Sequence, residues 1–346
     1  MLLKTVRFAY INALFQNKQM NIIVTTAVMA TSTTTSTTTS TTTAPRPNIP
    51  SNAKWDNNGK QLTGYNPVFD YPKGLSVSVD QTVYVADYWK HDVVAWKSGE
   101  ANGQIVAGGN GDGKGTHQLD RPTDVILDTE TNSIIICDYW NGRIVRWPRQ
   151  NGTKGETILS NISCMSLTMD ENKTLYFTDQ NNNAVQRYRI GESKGTIVAG
   201  GNGNGNGLHQ FDYPTYIFVD NEHSVYVSDG GNHRVMKWIE GAKEGIVVAG
   251  GQGRGGNLTQ LNYPHGILVD QLGTVYISDG WNHRVVRWPK GAQQGDVIIG
   301  GNGAGKEANQ LNWPEGISFD LQGNMYIVDR ANIRVQQFSI QIPSNE

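Results

Sequence analysis

"LNYPHGILVDQLGTVYISDGWNHRVVRW", residues 261–288, decides the fold. It holds three short runs rich in Val, Ile and aromatics: GILVD (266–270), TVYISD (274–279) and RVVRW (284–288). The turn residues QLG and GWNH separate them, and a fourth run, DVIIGG (296–301), follows. Short runs of this kind, bounded by Gly, Asn and Asp, read as antiparallel strands. One such four-stranded sheet cannot cover both of its faces alone, so the unit must pack against others like it.

The units are present. An Asp closes each second run, at Asp87, Asp138, Asp179, Asp229, Asp279 and Asp329, with spacings of 51, 41, 50, 50 and 50 residues. Nine residues after each stands an aromatic: Trp96, Trp147, Tyr188, Trp238, Trp288 and Phe338. Six repeats of 40–50 residues, four strands each, predict an all-β, six-bladed β-propeller. The sixth copy runs out of sequence before a fourth strand. The segment KWDNNGKQLTG (54–64), with Trp55 and Gly64, is expected to complete the last blade and close the ring.

With its Pro-x-Gly-Ile, Val-Asp, Tyr-x-x-Asp and Asn-x-Arg-Val elements, the 261–288 stretch resembles an NHL repeat, and the resemblance extends over about residues 54–340. It implies a propeller of NHL repeats. It leaves function open, because such propellers include RNA-binding modules, extracellular sensor domains and peptidyl-hydroxyglycine lyases.

A competing motif is dismissed by the same repetition. In VAGGNGDGKGT (106–116), Gly108, Gly113 and Lys114 fit the start of a phosphate-binding loop. Gly115 stands where Ser or Thr is required, and a strand rather than a helix follows. Related stretches recur at 199–207, 249–256 and 299–306 and are missing only between copies two and three, which explains the 41-residue spacing. The stretch is the connection between blades.

Composition agrees. The 346 residues include 40 Gly, 9 Trp and 14 Tyr, with net charge −2, which offers nothing for a polyanion at the level of the whole chain. No apolar run reaches 18 residues, so no membrane span is expected. Residues 1–30 end in Val28-Met29-Ala30 and have the look of a signal segment, and the Thr/Ser/Pro-rich 31–53 that of a disordered linker before a propeller at 54–341. Cys137 and Cys164 fall on adjacent blades, as a disulfide or as buried thiols; a bridge would fit an oxidising compartment. Asn151, Asn161, Asn172 and Asn257 begin glycosylation sequons.

Residues that repeat in every blade are expected to be scaffold, and residues that vary at the channel mouth are candidates for the site. The repeated Asp and the Arg five residues later (Arg143, Arg234, Arg284, Arg334) read as a structural pair. Asp92 and Ala184 break it in copies one and three, either as local loosening or as a functional departure. The positions just after each inner-strand Pro differ in every copy and supply Lys73, Asp124, Tyr216, His265 and Glu315. The turns after each Asp add Trp89, Trp140, Trp281 and Arg330, aromatics suited to stacking on sugars or docking a peptide.

The resemblance to the lyases implies several His after the inner-strand Pro, and only His265 occupies that place. His91, His233 and His283 share a turn position, but the first two lie on opposite sides of the ring. His265, Asp124 and Glu315 are the secondary candidates for a metal, and no cofactor is expected. The expectation is a secreted, monomeric, non-catalytic module that binds a protein, peptide or glycan at the channel mouth. A metal-dependent lyase or a lactonase-type hydrolase is the alternative, and an RNA-binding module the third reading.

Overall fold

The structure, a computed structural model, describes residues 47–62, 69–150 and 152–342. The expected signal segment, most of the Thr-rich linker, Gly64 and Asn151 lie outside the described residues. Six four-stranded antiparallel sheets follow one another along the chain, each running from an inner to an outer strand. In blade five the strands are Pro264–Val269, Val275–Asp279, Arg284–Trp288 and Asp296–Gly300. In blade six, Lys60–Gln61 lies outermost and pairs antiparallel with Arg334–Phe338, Lys60 opposite Gln337. A second short ladder joins Lys54–Trp55 to Ile340–Gln341.

Blades three, five and six share one local logic. Asp270 ends the first strand and its Oδ1 accepts the amides of Leu272 and Thr274, which turns the chain into the second strand. Its Oδ2 accepts the Tyr276 hydroxyl, so one carboxylate shapes the hairpin and anchors the buried ring. Asp170 and Asp320 do the same with Tyr176 and Tyr326. All six aromatics nine residues after the repeated Asp are buried.

The hydrophobic core is six cores, one at each junction of adjacent blades. Tyr84 and Val93 of blade one meet Val125 and Trp147 of blade two, and so on around to Val328 and Val335 of blade six against Leu75 and Trp96 of blade one. Packing also begins before residue 54. Ile49, Ala53 and Trp55 are buried against blades five and six, and Trp55 Nε1 donates to the Gly323 carbonyl at 3.0 Å. The chain just upstream of 54 is therefore part of the packed wheel, where the sequence reading had placed linker.

The repeated Asp…Arg pair is present at 2.6–2.7 Å in blades two, four, five and six. Its role is larger than tying two strands together. Arg234 Nη1 and Nη2 also donate to the carbonyls of Asn206, Gly207 and Gln210, in the glycine-rich connection that precedes blade four. Arg143, Arg284 and Arg334 hold their own connections in the same way. Blades one and three follow connections without that glycine-rich stretch. The Arg is absent where it would have nothing to hold.

In blade three, Gln186 Nε2 donates to Asp179 instead, and in blade one a second carboxylate, Asp92, faces Asp87. At the short junction between blades two and three, Cys137 and Cys164 form a disulfide, with Cα atoms 5.4 Å apart.

Candidate functional site

The mouth at the start of the inner strands is built on the residue just before each Pro. Arg121, Tyr213, Tyr263 and Trp313 occupy that place with φ of 52–58°, a left-handed conformation that bulky residues rarely hold. Two sets of contacts enforce it. The preceding residue donates its amide to the repeated Asp, as Asn262 does to Asp279 at 2.7 Å. In blades two, five and six the residue itself donates to a His of the previous blade: Arg121 to His91, Tyr263 to His233 and Trp313 to His283, each to Nδ1 at 3.1–3.2 Å. The three turn histidines are thus positioning groups, with Nδ1 as the atom that receives each amide. Burial holds His233 and His283 below the usual imidazole range.

The side chains so displayed form a crescent. Arg121 lies between Trp89 and Trp140, its guanidinium carbon 4.8 and 4.0 Å from the ring centroids. Trp89 packs on Tyr88 and Tyr71. Arg330 then bridges Tyr71 and Trp313, at 4.6 and 4.4 Å. Trp313 lies parallel to Trp281, which stacks on Tyr263, and Tyr263 meets Tyr213. The arc covers five blades and stops at blade three, where Gln180 and the exposed Asn181 stand instead. Trp89, Trp140, Trp281 and Trp313 are 39–58% exposed within this contiguous surface, so each presents part of its ring to solvent.

A charged cluster forms the floor of the mouth. Glu315, 1% exposed, lies 3.0 Å from Arg330 Nη1 and 3.6 Å from Lys73 Nζ, neither contact aligned as a hydrogen bond. Arg330 Nη1 also donates to the Tyr71 hydroxyl. Burial opposes the charge on Glu315, but Lys73 and Arg330 outweigh it and hold the carboxyl below its ordinary range. His265 is pushed down to about 4 by burial, so it is neutral here. Tyr216 is buried beside it, ring centroids 6.3 Å apart.

Asp124 does not join this group. Its carboxylate accepts the Ser166 hydroxyl and the Leu167 and Val125 amides, tying blade two to blade three, and burial raises it to about 7. At the same level the inner strands of blades six and one nearly touch: a Cβ on Gly316 would sit 2.7 Å from the Lys73 carbonyl. From this level a cavity of about 440 Å³ extends along the axis, lined by Leu75, Ile126, Leu167, Ile217, Leu268 and Ile317, one from each blade.

Lys73, Glu315 and Arg330 therefore converge, with His265 and Tyr216 adjacent; Trp89, Trp140 and Trp281 lie on the crescent above; and Asp124 is a blade tie. No group of three His, Cys, Asp or Glu side chains able to hold a metal is present among the described residues. The sequence reading missed Tyr71, Arg121, Tyr213, Tyr263 and Trp313. Their signal was the residue before Pro, aromatic in four of the six copies, which the rule that repetition means scaffold had set aside.

Comparison with known proteins supports the fold. Residues 261–288 match the NHL repeat family model, so the chain carries an NHL repeat within a six-bladed propeller. No curated protein matches the chain. Among solved structures, a Bacteroides thetaiotaomicron protein of unknown function is 16% identical with a TM-score of 0.65, covering 86% of this chain and 74% of that one. An auxiliary nutrient binding protein of the same organism is 17% identical with a TM-score of 0.61, over 87% and 76%. Virginiamycin B lyase from Staphylococcus aureus is 13% identical with a TM-score of 0.55, over 83% and 99%.

Proposed function

We propose that this chain is an extracellular binding module whose ligand, a glycan or a peptide, docks on the aromatic crescent at the channel mouth without undergoing reaction. The observation that carries this reading is the contiguous arc from Trp140 to Tyr213, in which Arg121, Tyr213, Tyr263 and Trp313 hold left-handed backbone conformations. Exposed aromatics fixed at a cost of about 1 kcal/mol or more each are the pattern of a preorganised binding surface. The disulfide fits an oxidising compartment, and the likeness to a nutrient binding propeller is consistent with capture of a ligand from outside the cell. No helix among the described residues is long and apolar enough to cross a membrane.

Glycan and peptide arrays probed with the purified protein test the reading, followed by titration of the hits against Trp140→Ala and Trp281→Ala. Both variants should keep the wild-type melting temperature and lose affinity. Unchanged affinity for every hit would refute it.

A further inference from the structure

We infer that the ligand of this mouth is an acidic saccharide, with its uronate carboxylate seated on Lys73 and Arg330 and its ring on the aromatic crescent. This inference rests on the binding reading above.

Charge balance at the floor is the starting point. Two cations, with side chains only 12% and 10% exposed, share one carboxylate, Glu315. The groups around them do not make up the difference. His265 is neutral, Tyr71 and Tyr216 keep their protons, and the Asp124 carboxyl, although Lys73 acts on it, is pushed up to about 7 by burial and is occupied by its three hydrogen bonds. Removing a charge from water without a full partner is costly, and an arriving anion offsets that cost.

The cations retain capacity for such a partner. The polar contacts described for Arg330 run through Nη1, to Glu315 and Tyr71, which leaves the rest of the guanidinium fork for a carboxylate. Lys73 Nζ has a 3.6 Å contact to Glu315, a 3.8 Å contact to the Met165 sulfur and the faces of Tyr71 and Tyr88 at 5.8 and 5.6 Å, with Glu315 its one anionic contact at salt-bridge distance. Around this seat are the elements that recognise a sugar: aromatic rings for its C–H surface, and the exposed amide of Asn181 for its hydroxyls.

The test is calorimetric titration at pH 6 with trigalacturonate, the neutral galactotriose and an acidic aromatic tripeptide. Trigalacturonate should bind at least about tenfold tighter than galactotriose, the worth of a charge-assisted hydrogen bond. Lys73→Met and Arg330→Gln should bring that ratio towards one. Glu315→Gln removes the internal competitor and should raise the ratio, an effect that loss of structure would not produce. Trp281→Ala should weaken both saccharides and leave the ratio unchanged. If Trp281→Ala weakens neither saccharide while the ratio holds, the aromatic reading fails and the anion seat stands. Equal binding of the two saccharides, binding of neither, binding of the tripeptide alone, or a ratio unmoved by Glu315→Gln would overturn the inference.

Discussion

Arg234 Nε lies 2.7 Å from Asp229 Oδ2, and the other two nitrogens of the same guanidinium hold three carbonyls of the connection that leads into its blade. One side chain thus joins the second strand, the third strand and the incoming chain. Arg234→Ala leaves a buried carboxylate without its counter-charge, and urea denaturation should show a loss of about 3–5 kcal/mol. Arg234→Lys keeps the charge and loses the fork, and should recover less than half of that loss.

Asp92 has the opposite effect on stability. Burial and the neighbouring Asp87 carboxylate raise it to about 8, and its Oδ1 is buried without a partner. The folded state therefore binds a proton that the unfolded chain has released, so this contribution is present below the ordinary Asp pKa and lost as pH rises towards 8. Asp92→Asn should stabilise the protein at pH 8 by about 1–3 kcal/mol, with little gain at pH 4. Melting temperatures at both values check it.

The histidines give a slope of the other sign. Burial lowers His233 and His283, and takes His265 to about 4, so between that value and 6.5 the unfolded chain binds more protons. Stability is full above pH 6.5 and falls as the solution is acidified through that window. Protonation also removes the Nδ1 acceptors that hold Tyr263 and Trp313. Ligand affinity should fall over the same range, and in His233→Gln the binding curve should lose part of that acid limb.

Reduction of Cys137–Cys164 opens a link that spans 27 residues of sequence. The double Ser variant should be less stable by about 3 kcal/mol. Denaturant curves of the wild type with and without reductant should differ by a similar amount, and those of the variant should coincide.

Much of the wheel was legible because it repeats. The period of the Asp residues carried blade number and strand count, and the recurrence of GGNG-type stretches identified them as connections rather than a nucleotide site. The departures at Asp92 and Ala184 were visible, but their reason was not. The partners of the Arg are main-chain carbonyls 24–28 residues upstream, and carbonyls carry no sequence signature. The mouth was obscured for a related reason. Tyr213, Tyr263 and Trp313 share a left-handed backbone that turns them outward, and for Tyr263 and Trp313 that conformation is held by a His side chain from the adjacent blade.

The two irregular joints of the ring differ in how they are secured. Between blades two and three, sulfur chemistry stands in for the missing guanidinium clamp. Blades six and one are joined by the chain itself, and the non-covalent closure of the ring lies inside blade six, where Lys60–Gln61 pairs with Arg334–Phe338. A ring fastened in this way should breathe first at that closure, so amide exchange is expected to be fastest along Lys60–Gln61 and Arg334–Phe338. Lys73 and Arg330 face each other across the adjoining junction of blades six and one. A guest held between them would latch the circle shut, and occupancy would register as slower exchange far from the point of contact.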